Sequence, residues 1–559
     1  MKNKNKIIQD PVHGYIEVES MFIKIVDSIE FQRLKWIEQG SFRVLYPAAR
    51  HDRFIHSLGT YFIAKKASES FFINIKVDIL EENIFVKYEE KKLRNTFLYA
   101  ALLHDIGHAP FSHTCENYFN IEESSESGVK KIDNDLLNAI ESSLQISDDK
   151  KNSFLEGYNE FKHLLKPSPH EIVSATMLIN KVSNFLDEKN YELIDLELAA
   201  RMVIGFRYKN SSKDQGIENC LIGLLNSNTV DVDKLDYICR DTKMMGFSNA
   251  AIDIERITKG ITAVLVNNKG FQPAFRKNTL SNIDNVFRAK EEQGKWVISH
   301  PVVVYESELI KQCVKEVDEK ESDKKELGEN GYINTVFSYE ALCREGIGYK
   351  GRRYKLLSDT DIISDFKNYI DNPIINEYFE RSARRKPIWK SYYEYVYMVN
   401  QLKKSNQKKA IKGMQSEESK ELDKFYRYFS PLIEYMISEK KFILNTTLYN
   451  EICVCKIVEV KRAAELLKKV CEESSVKLDL VLIKFKNDFA SKIHRNEIYI
   501  KFPKAGPCTY ESLEGVRGKV DENAFFYLYS KEQIDKEFII NKVPEIMDIM
   551  STVYNEYCI

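Results

Sequence analysis

Apolar residues recur at helical spacing from about Met21 to Val317, in segments separated by short turns that carry Gly or Pro. That period predicts a mainly α-helical first half. Beyond about Leu478 the character changes. Leu480–Lys486, Glu497–Phe502 and Ala524–Tyr529 combine apolar and aromatic residues with turn chemistry between them, which predicts a small antiparallel sheet near the end of the sequence. The polar stretches 122–135 and 145–169 read as mobile surface insertions, and the charged stretches 315–331 and 403–424 as solvated linkers or exposed helices. The expected organisation is a helical domain over residues 1–320, a helical extension with charged linkers over 321–477, and a C-terminal α+β lobe over 478–559. No internal repeat and no Gly-rich phosphate loop is found.

Composition narrows the class of protein. A chain of 559 residues, 43% apolar and 30% charged, has room for two to four domains and a sizeable core. Its 82 basic and 84 acidic residues give a net charge of −2, so no global field draws it onto nucleic acid, although a local patch can still make that contact. No run of 18 or more apolar residues occurs, and the opening residues do not lead into a hydrophobic signal core. Ten cysteines are scattered without a regular framework, which suits reduced thiols. A cytoplasmic chain with no membrane partner is expected.

Eight of the ten histidines fall before residue 171, so the chemistry is expected early. The most informative stretch runs Leu98-Tyr-Ala-Ala-Leu-Leu-His104-Asp105-Ile-Gly-His108-Ala-Pro-Phe-Ser-His113. An apolar helix ends there in adjacent His and Asp, and Gly107 and Pro110 break it, so the two side chains can aim at one point. So many titratable groups in so short an apolar stretch are costly to bury without a function. Alone, a His-Asp pair carries little weight. Three other segments add to it: His51-Asp-Arg53-Phe-Ile-His56-Ser-Leu-Gly59, His170-Glu171, and Asp231-Val-Asp233-Lys234-Leu-Asp236-Tyr237-Ile-Cys-Arg240-Asp241.

This order of a histidine, then His-Asp, then a distant aspartate resembles the HD-domain metal phosphohydrolases. Lys6–Gly14, Phe31–Leu34, His51–Gly59, His104–His113 and Asp231–Asp241 narrow the resemblance to the dGTPase-like deoxynucleoside triphosphate triphosphohydrolases. It is tight over roughly residues 6–260 and looser beyond, with no SAM domain expected ahead of it. The resemblance implies an HD-domain helical core and four ligands to a divalent metal ion: His56, His104, Asp105 and Asp233. Such a mixed nitrogen and oxygen set suits manganese, iron or magnesium better than zinc, whose structural sites favour thiolates. His113 is implied as the proton donor to the leaving group, with Glu116 orienting it where the family usually has aspartate, and His108 and His170 near the phosphates. Arg53 and Lys234 would neutralise triphosphate charge, while Gln39, Tyr237 and Asp241 would face the sugar and base.

The pattern departs from the family in one helix. Where the relatives carry an arginine, a histidine and a tyrosine toward phosphate and sugar, this sequence offers Lys290, Gly294 and Ile298. Lys290 keeps the charge. The other two lose polar contacts on which discrimination for a sugar hydroxyl would rest. By the same resemblance Lys6, Asp27, Gln32 and Lys35 match in type a regulatory nucleotide site in a homo-oligomer; an exposed helix face is the equal alternative for the last three.

The expectation is a metal-dependent hydrolysis of a deoxynucleoside triphosphate to nucleoside and inorganic triphosphate. Two alternatives stand beside it. One is an HD phosphodiesterase or nuclease acting on a cyclic nucleotide or single-stranded nucleic acid; the other is a nucleotide-sensing protein whose metal site is structural.

Overall fold

The structure is a computed structural model. It describes residues 4–81, 89–120, 131–209, 212–247, 251–267, 269–322, 331–387, 390, 443–444, 478–484, 494–502, 507–514, 525–530 and 545–546. Two compact units are formed. The first comprises Met1–Val297, Ile310–Ile370 and Phe489–Gly518; the second comprises Ile298–Leu309, Asp371–Asp488 and Lys519–Ile559.

The first unit opens with an antiparallel hairpin, β1 (Lys6–Asp10) and β2 (Gly14–Val18). Its turn is closed by Gly14 at φ 80°, a left-handed conformation that a side chain rarely adopts. Helices follow: α1 (Arg53–Glu81), α2 (Glu90–Leu103), α3 (Lys131–Ser142), α4 (Asp148–Leu165), α5 (Pro169–Asn180), α6 (Leu196–Ile204), α7 (Lys213–Leu225) and α8 (Val232–Met244). Their ends are chemically marked. Asp52 accepts the Ile55 N–H at the start of α1, Asp231 accepts the Lys234 N–H at the start of α8, and α5 opens with a Ser168/Glu171 capping box and Pro169 in its first turn. Helix α2 is buried from Phe97 to Leu103, which fixes the place where its C-terminal His104 emerges. After α8 come a hairpin, β3 (Ile261–Val266) and β4 (Gly270–Arg276), then α9 (Leu280–Gln293); α10 (Pro301–Ser322) belongs to the second unit up to Leu309 and to the first from Ile310. A short hairpin, β5 (Ile347–Tyr349) and β6 (Arg352–Tyr354), precedes α11 (Asp359–Lys367), which starts in a Ser358/Asp361 capping box.

The mainly α-helical class holds, and three local expectations change. The stretch 145–169 is not a loop, because α4 occupies most of it. Its charged sequence still places Phe154, Tyr158 and Phe161 on one face, and all three are buried. The hairpin β3–β4 interrupts the helical range; its β-branched run Ile261–Val266 prefers the pleated surface.

The third change concerns the C-terminal strands. Those expected at Leu480–Lys486 and Ala524–Tyr529 form as β9 (Leu478–Lys484) and β12 (Phe525–Ser530), paired antiparallel in the second unit beside β7 (Lys386–Pro387) and β8 (Ile443–Leu444). The strand between them, β10 (Tyr499–Lys501), belongs elsewhere. It pairs parallel to β4 and antiparallel to β11 (Cys508–Thr509), giving the order β11-β10-β4-β3 in the first unit. The hairpin β3–β4 leaves one edge of β4 unpaired, and β10 closes that edge while burying Ile500 and packing Tyr499 on Val264 and Ala274.

The stretch 403–424 and most of 122–135 lie outside the described residues. Among the described residues no helix is long and apolar enough to cross a membrane.

Candidate active site

Three helices bring the expected metal ligands together. His56 stands at the end of the first turn of α1, His104 and Asp105 follow α2, and Asp233 lies in the first turn of α8. Asp233 Oδ1 is 3.0 Å from His56 Nε2 and 3.4 Å from His104 Nε2, and the two Nε2 atoms are 3.3 Å apart. Asp105 closes the group, with Oδ2 at 3.5 Å from His56 Nε2 and Oδ1 at 3.6 Å from His104 Nε2. A cation with bonds of about 2.1 Å sets neighbouring ligand atoms about 3.0–3.4 Å apart, so the donor spacing fits one.

The orientation of both imidazoles is set from behind. His56 Nδ1 is 2.7 Å from Asp236 Oδ2, and His104 Nδ1 is 2.9 Å from the Ala101 carbonyl. With a cation bound, each outer nitrogen would carry the proton and donate it, and each Nε2 lone pair would face the centre. Burial penalises the imidazolium form of His56, but hydrogen bonds to Asp233 and Asp236 and the charge of Asp105 outweigh it and raise its pKa to about 10. Burial likewise opposes ionisation of Asp105, yet the Arg53 guanidinium and the flanking histidines hold its pKa well below the carboxylate range. The cluster thus attracts positive charge, which a divalent cation would satisfy.

Sequence reasoning did not find the network behind His56. Asp236 receives two hydrogen bonds from Arg240, at 2.8 and 2.9 Å, and lies 2.6 Å from His13 Nε2; Arg240 also reaches Asp10 at 2.7 Å. All of these side chains are buried, which joins the hairpin β1–β2 to the rear of the metal cluster. Gly59 permits this approach: a Cβ there would overlap Asp236 Oδ1 and Arg240 Nη2. The signal available was the Asp10-Pro-Val-His13-Gly14 turn itself, a hairpin tip carrying an acid and an imidazole.

A second cluster adjoins the first. His108, His113 and His170 bring ring nitrogens within 4.8 Å of one another. His108 and His170 stack at 4.0 Å between ring centroids, and His113 stands edge-on to both. Glu116 spans the pair, with Oε2 2.7 Å from His170 Nδ1 and Oε1 3.3 Å from His113 Nδ1. His113 is the open member, its side chain 61% exposed. Burial and the nearby Arg53 and His170 charges hold the His108 pKa well below its ordinary value, so that ring is neutral. Gly107 fits this cluster against α5, since a Cβ there would overlap the Ser174 amide nitrogen and the carbonyl carbon of Val173.

The residues expected at substrate lie nearby with partners of their own. The Arg53 guanidinium donates to Asp105 Oδ2 at 2.7 Å, Ser112 Oγ at 2.9 Å and the Gln39 carbonyl at 3.1 Å. Lys234 Nζ is held by Asp231 Oδ2 at 2.6 Å and the Ser227 carbonyl at 2.7 Å. Lys290 Nζ donates to the Tyr237 hydroxyl at 2.7 Å. Asp241 accepts from His51 Nε2 at 2.7 Å and from the Gln293 amide, two partners the sequence did not single out. Gln39 Oε1, His51 Nδ1 and Gln293 Oε1 are buried acceptors without a protein partner. Of the residues expected at a regulatory nucleotide, Lys6 pairs with Asp27, Gln32 donates to the Val26 carbonyl at 2.7 Å, and the Lys35 ammonium lies 4.5 Å above the Phe54 ring.

The chain carries an HD domain, matched over residues 53–178, a span from the first turn of α1 into α5 that includes His56, His104, Asp105 and both buried histidines of the second cluster. At family level it is similar to the HD-domain deoxynucleoside triphosphate triphosphohydrolases. It is 28% identical over 303 residues to the deoxynucleoside triphosphate triphosphohydrolase SAMHD1 homolog of Dictyostelium discoideum, covering 54% of this chain and 47% of that protein. It is 23% identical over 304 residues to the Homo sapiens deoxynucleoside triphosphate triphosphohydrolase SAMHD1, covering 53% and 42%. An uncharacterised protein of Methanocaldococcus jannaschii is 26% identical over 508 residues, covering 87% of this chain and 88% of its own length. The match therefore spans roughly half the length of these named triphosphohydrolases.

Proposed function

We propose that this protein is a metal-dependent phosphohydrolase that splits a deoxynucleoside triphosphate into nucleoside and inorganic triphosphate. The observation that carries the reading is the convergence of His56, His104, Asp105 and Asp233 on one point beside a histidine–glutamate pair. His56 and His104 through Nε2, and Asp105 and Asp233 through carboxylate oxygens, would hold the cation. When bound, a divalent cation supplies Lewis acidity, lowering the pKa of water and drawing charge from a phosphoryl oxygen.

The chain's own groups perform the remaining work. Water adds to the α-phosphorus and releases a proton to solvent as the bond from phosphorus to the nucleoside 5′ oxygen breaks; His113, its side chain 61% exposed, passes its ring proton to that departing oxygen and is reprotonated from solvent. Glu116 orients His113 through the 3.3 Å contact between Oε1 and Nδ1. Neutral His108 and the His170 imidazolium face the phosphates, with Arg53 and Lys234 fixing positive charge at the same end. On α8, Asp233, Tyr237 and Asp241 follow at four-residue intervals along one face, so Asp241 lies about 12 Å from Asp233 along the axis. The open acceptors on Gln39, His51 and Gln293 suit hydrogen-bond donors on sugar or base.

The purified protein, incubated with each dNTP and NTP in manganese, should release nucleoside and tripolyphosphate on chromatography. Stepwise release of diphosphate and monophosphate would refute the reading. Metal-dependent cleavage of a cyclic nucleotide or an oligonucleotide, abolished by His104→Ala, would transfer the same site to phosphodiester chemistry.

A further inference from the structure

We propose that Asp359, at the start of α11, is a positioning residue that locks the turn from which His113 projects. The inference rests on the role given above to His113, and deepens it. Asp359 is buried, and its two oxygens are divided between two distant backbones: Oδ1 accepts the Phe111 N–H at 2.6 Å and Oδ2 accepts the Glu38 N–H at 2.9 Å. Phe111 and Ser112 both adopt left-handed backbone, at φ 57° and 53°. Two consecutive non-glycine residues persist in that region only where the surroundings over-determine them.

Asp359 fixes the amide of Phe111, and the Phe111 ring lies nearly parallel to Phe366 of the same α11, at 5°. Ser112 Oγ donates to the Glu38 carbonyl at 2.5 Å and accepts from Arg53 Nε at 2.9 Å. Arg33, itself buried, donates to the carbonyls of Ile106, His108 and Leu357 at 2.6, 3.1 and 2.7 Å, tying the segment before the turn to the segment before Asp359. His113 comes next in the chain. It takes its direction from this turn, whose Phe111 carbonyl accepts the Thr114 N–H at 3.1 Å. His56 and Asp233, by contrast, are carried by α1 and α8 and receive nothing from Asp359.

Asp359→Ala and Asp359→Asn in the full chain test this. With Ala, kcat for tripolyphosphate release should fall about 100-fold, as a displacement near 1 Å in a proton donor implies, with bound manganese unchanged and KM moved far less than kcat. Amide hydrogen exchange in peptides covering 106–116 should accelerate, and that of α1 should not. Asn keeps one acceptor oxygen and should give intermediate values in both measurements. Wild-type kcat together with wild-type exchange at 106–116 in either variant overturns the inference, and Asn decides it should the Ala variant not fold. A wild-type protein that hydrolyses no nucleotide fails the functional reading alone, because the exchange measurement still decides the lock.

Discussion

The Nδ1 atom of His56 lies 2.7 Å from Asp236 Oδ2, and this single bond decides which nitrogen of His56 faces Asp233. Asp236 is not one of the four candidate ligands, yet it bonds to one of them. Asp236→Asn replaces one carboxylate oxygen with a donor and removes the charge that Arg240 and His13 share. The affinity for manganese should drop 10- to 100-fold, roughly the effect of removing an outer partner of a ligating histidine. Titration of the apoprotein with metal, followed calorimetrically, measures it; an unchanged affinity would show the bond to be incidental.

Metal binding should also register as stability. A ligand that binds the folded state alone adds about 2.7 kcal/mol at one hundred times its Kd. Manganese should therefore raise Tm by several degrees, and a chelator should reverse the rise. In His104→Ala or Asp233→Ala the rise should vanish, as thermal melts with and without metal will show.

Gly59 leaves the space that the Asp236–Arg240 pair occupies. Gly59→Ala should destabilise the fold by about 1–3 kcal/mol, the range for overfilled cores, and should weaken metal binding together with it. Urea unfolding of apoprotein and holoprotein separates the two effects. A variant that keeps both properties would mean that the buried network yields more readily than its packing suggests.

The Glu116–His170 pair sets a pH window. Burial opposes charge on both, but His113 and His170 hold the Glu116 pKa well below its ordinary 4.5, while Glu116 holds the His170 pKa above its ordinary 6.5. The carboxylate's share of stability is present above about 4.5 and is lost as pH falls through its depressed folded value. The imidazolium's share is full below about 6.5 and is lost as pH rises through its raised folded value. Glu116→Gln should therefore cost most between these pH values, about 1–3 kcal/mol for a buried charged hydrogen bond, and progressively less on the alkaline side. Denaturation midpoints across pH give the profile. A cost that grows with alkalinity would reverse the assignment.

Gln293 donates to Asp241 and presents a buried acceptor beside it. Gln293→Leu should leave metal affinity intact while narrowing the difference in kcat/KM between deoxynucleotides and their 2′,3′-dideoxy analogues, or between amino-bearing bases and thymine. Competition assays with paired substrates distinguish sugar from base. Equal losses for all of them would place Gln293 in the scaffold.

What was legible in the sequence was the chemistry held in short spans. His104 and Asp105 are adjacent, His113 and Glu116 are one turn apart, and Asp233 stands in a helix opening that its own N-cap Asp231 announces. Pairings between distant segments were not legible. His13 and Asp236 are 223 residues apart and Arg240 and Asp10 are 230 apart, so nothing local in either member reveals the bond. Arg53 shows the same limit from the other side: the family resemblance implied a contact with phosphate, but burial beside Asp105 and Ser112 gives the guanidinium protein partners whatever it meets in substrate. In the sheets, alternation identified β9, β10 and β12 as strands but could not say that the open edge of β4 would capture β10.

Phe111 and Asp359 are separated by 248 positions, and this distance has a consequence during synthesis. A nascent chain emerging from the ribosome completes the cation ligands once Asp233 is free, long before Asp359 exists. On the proposed roles, a chain ending before residue 359 would hold the four candidate cation ligands while lacking the carboxylate that fixes the Phe111 amide.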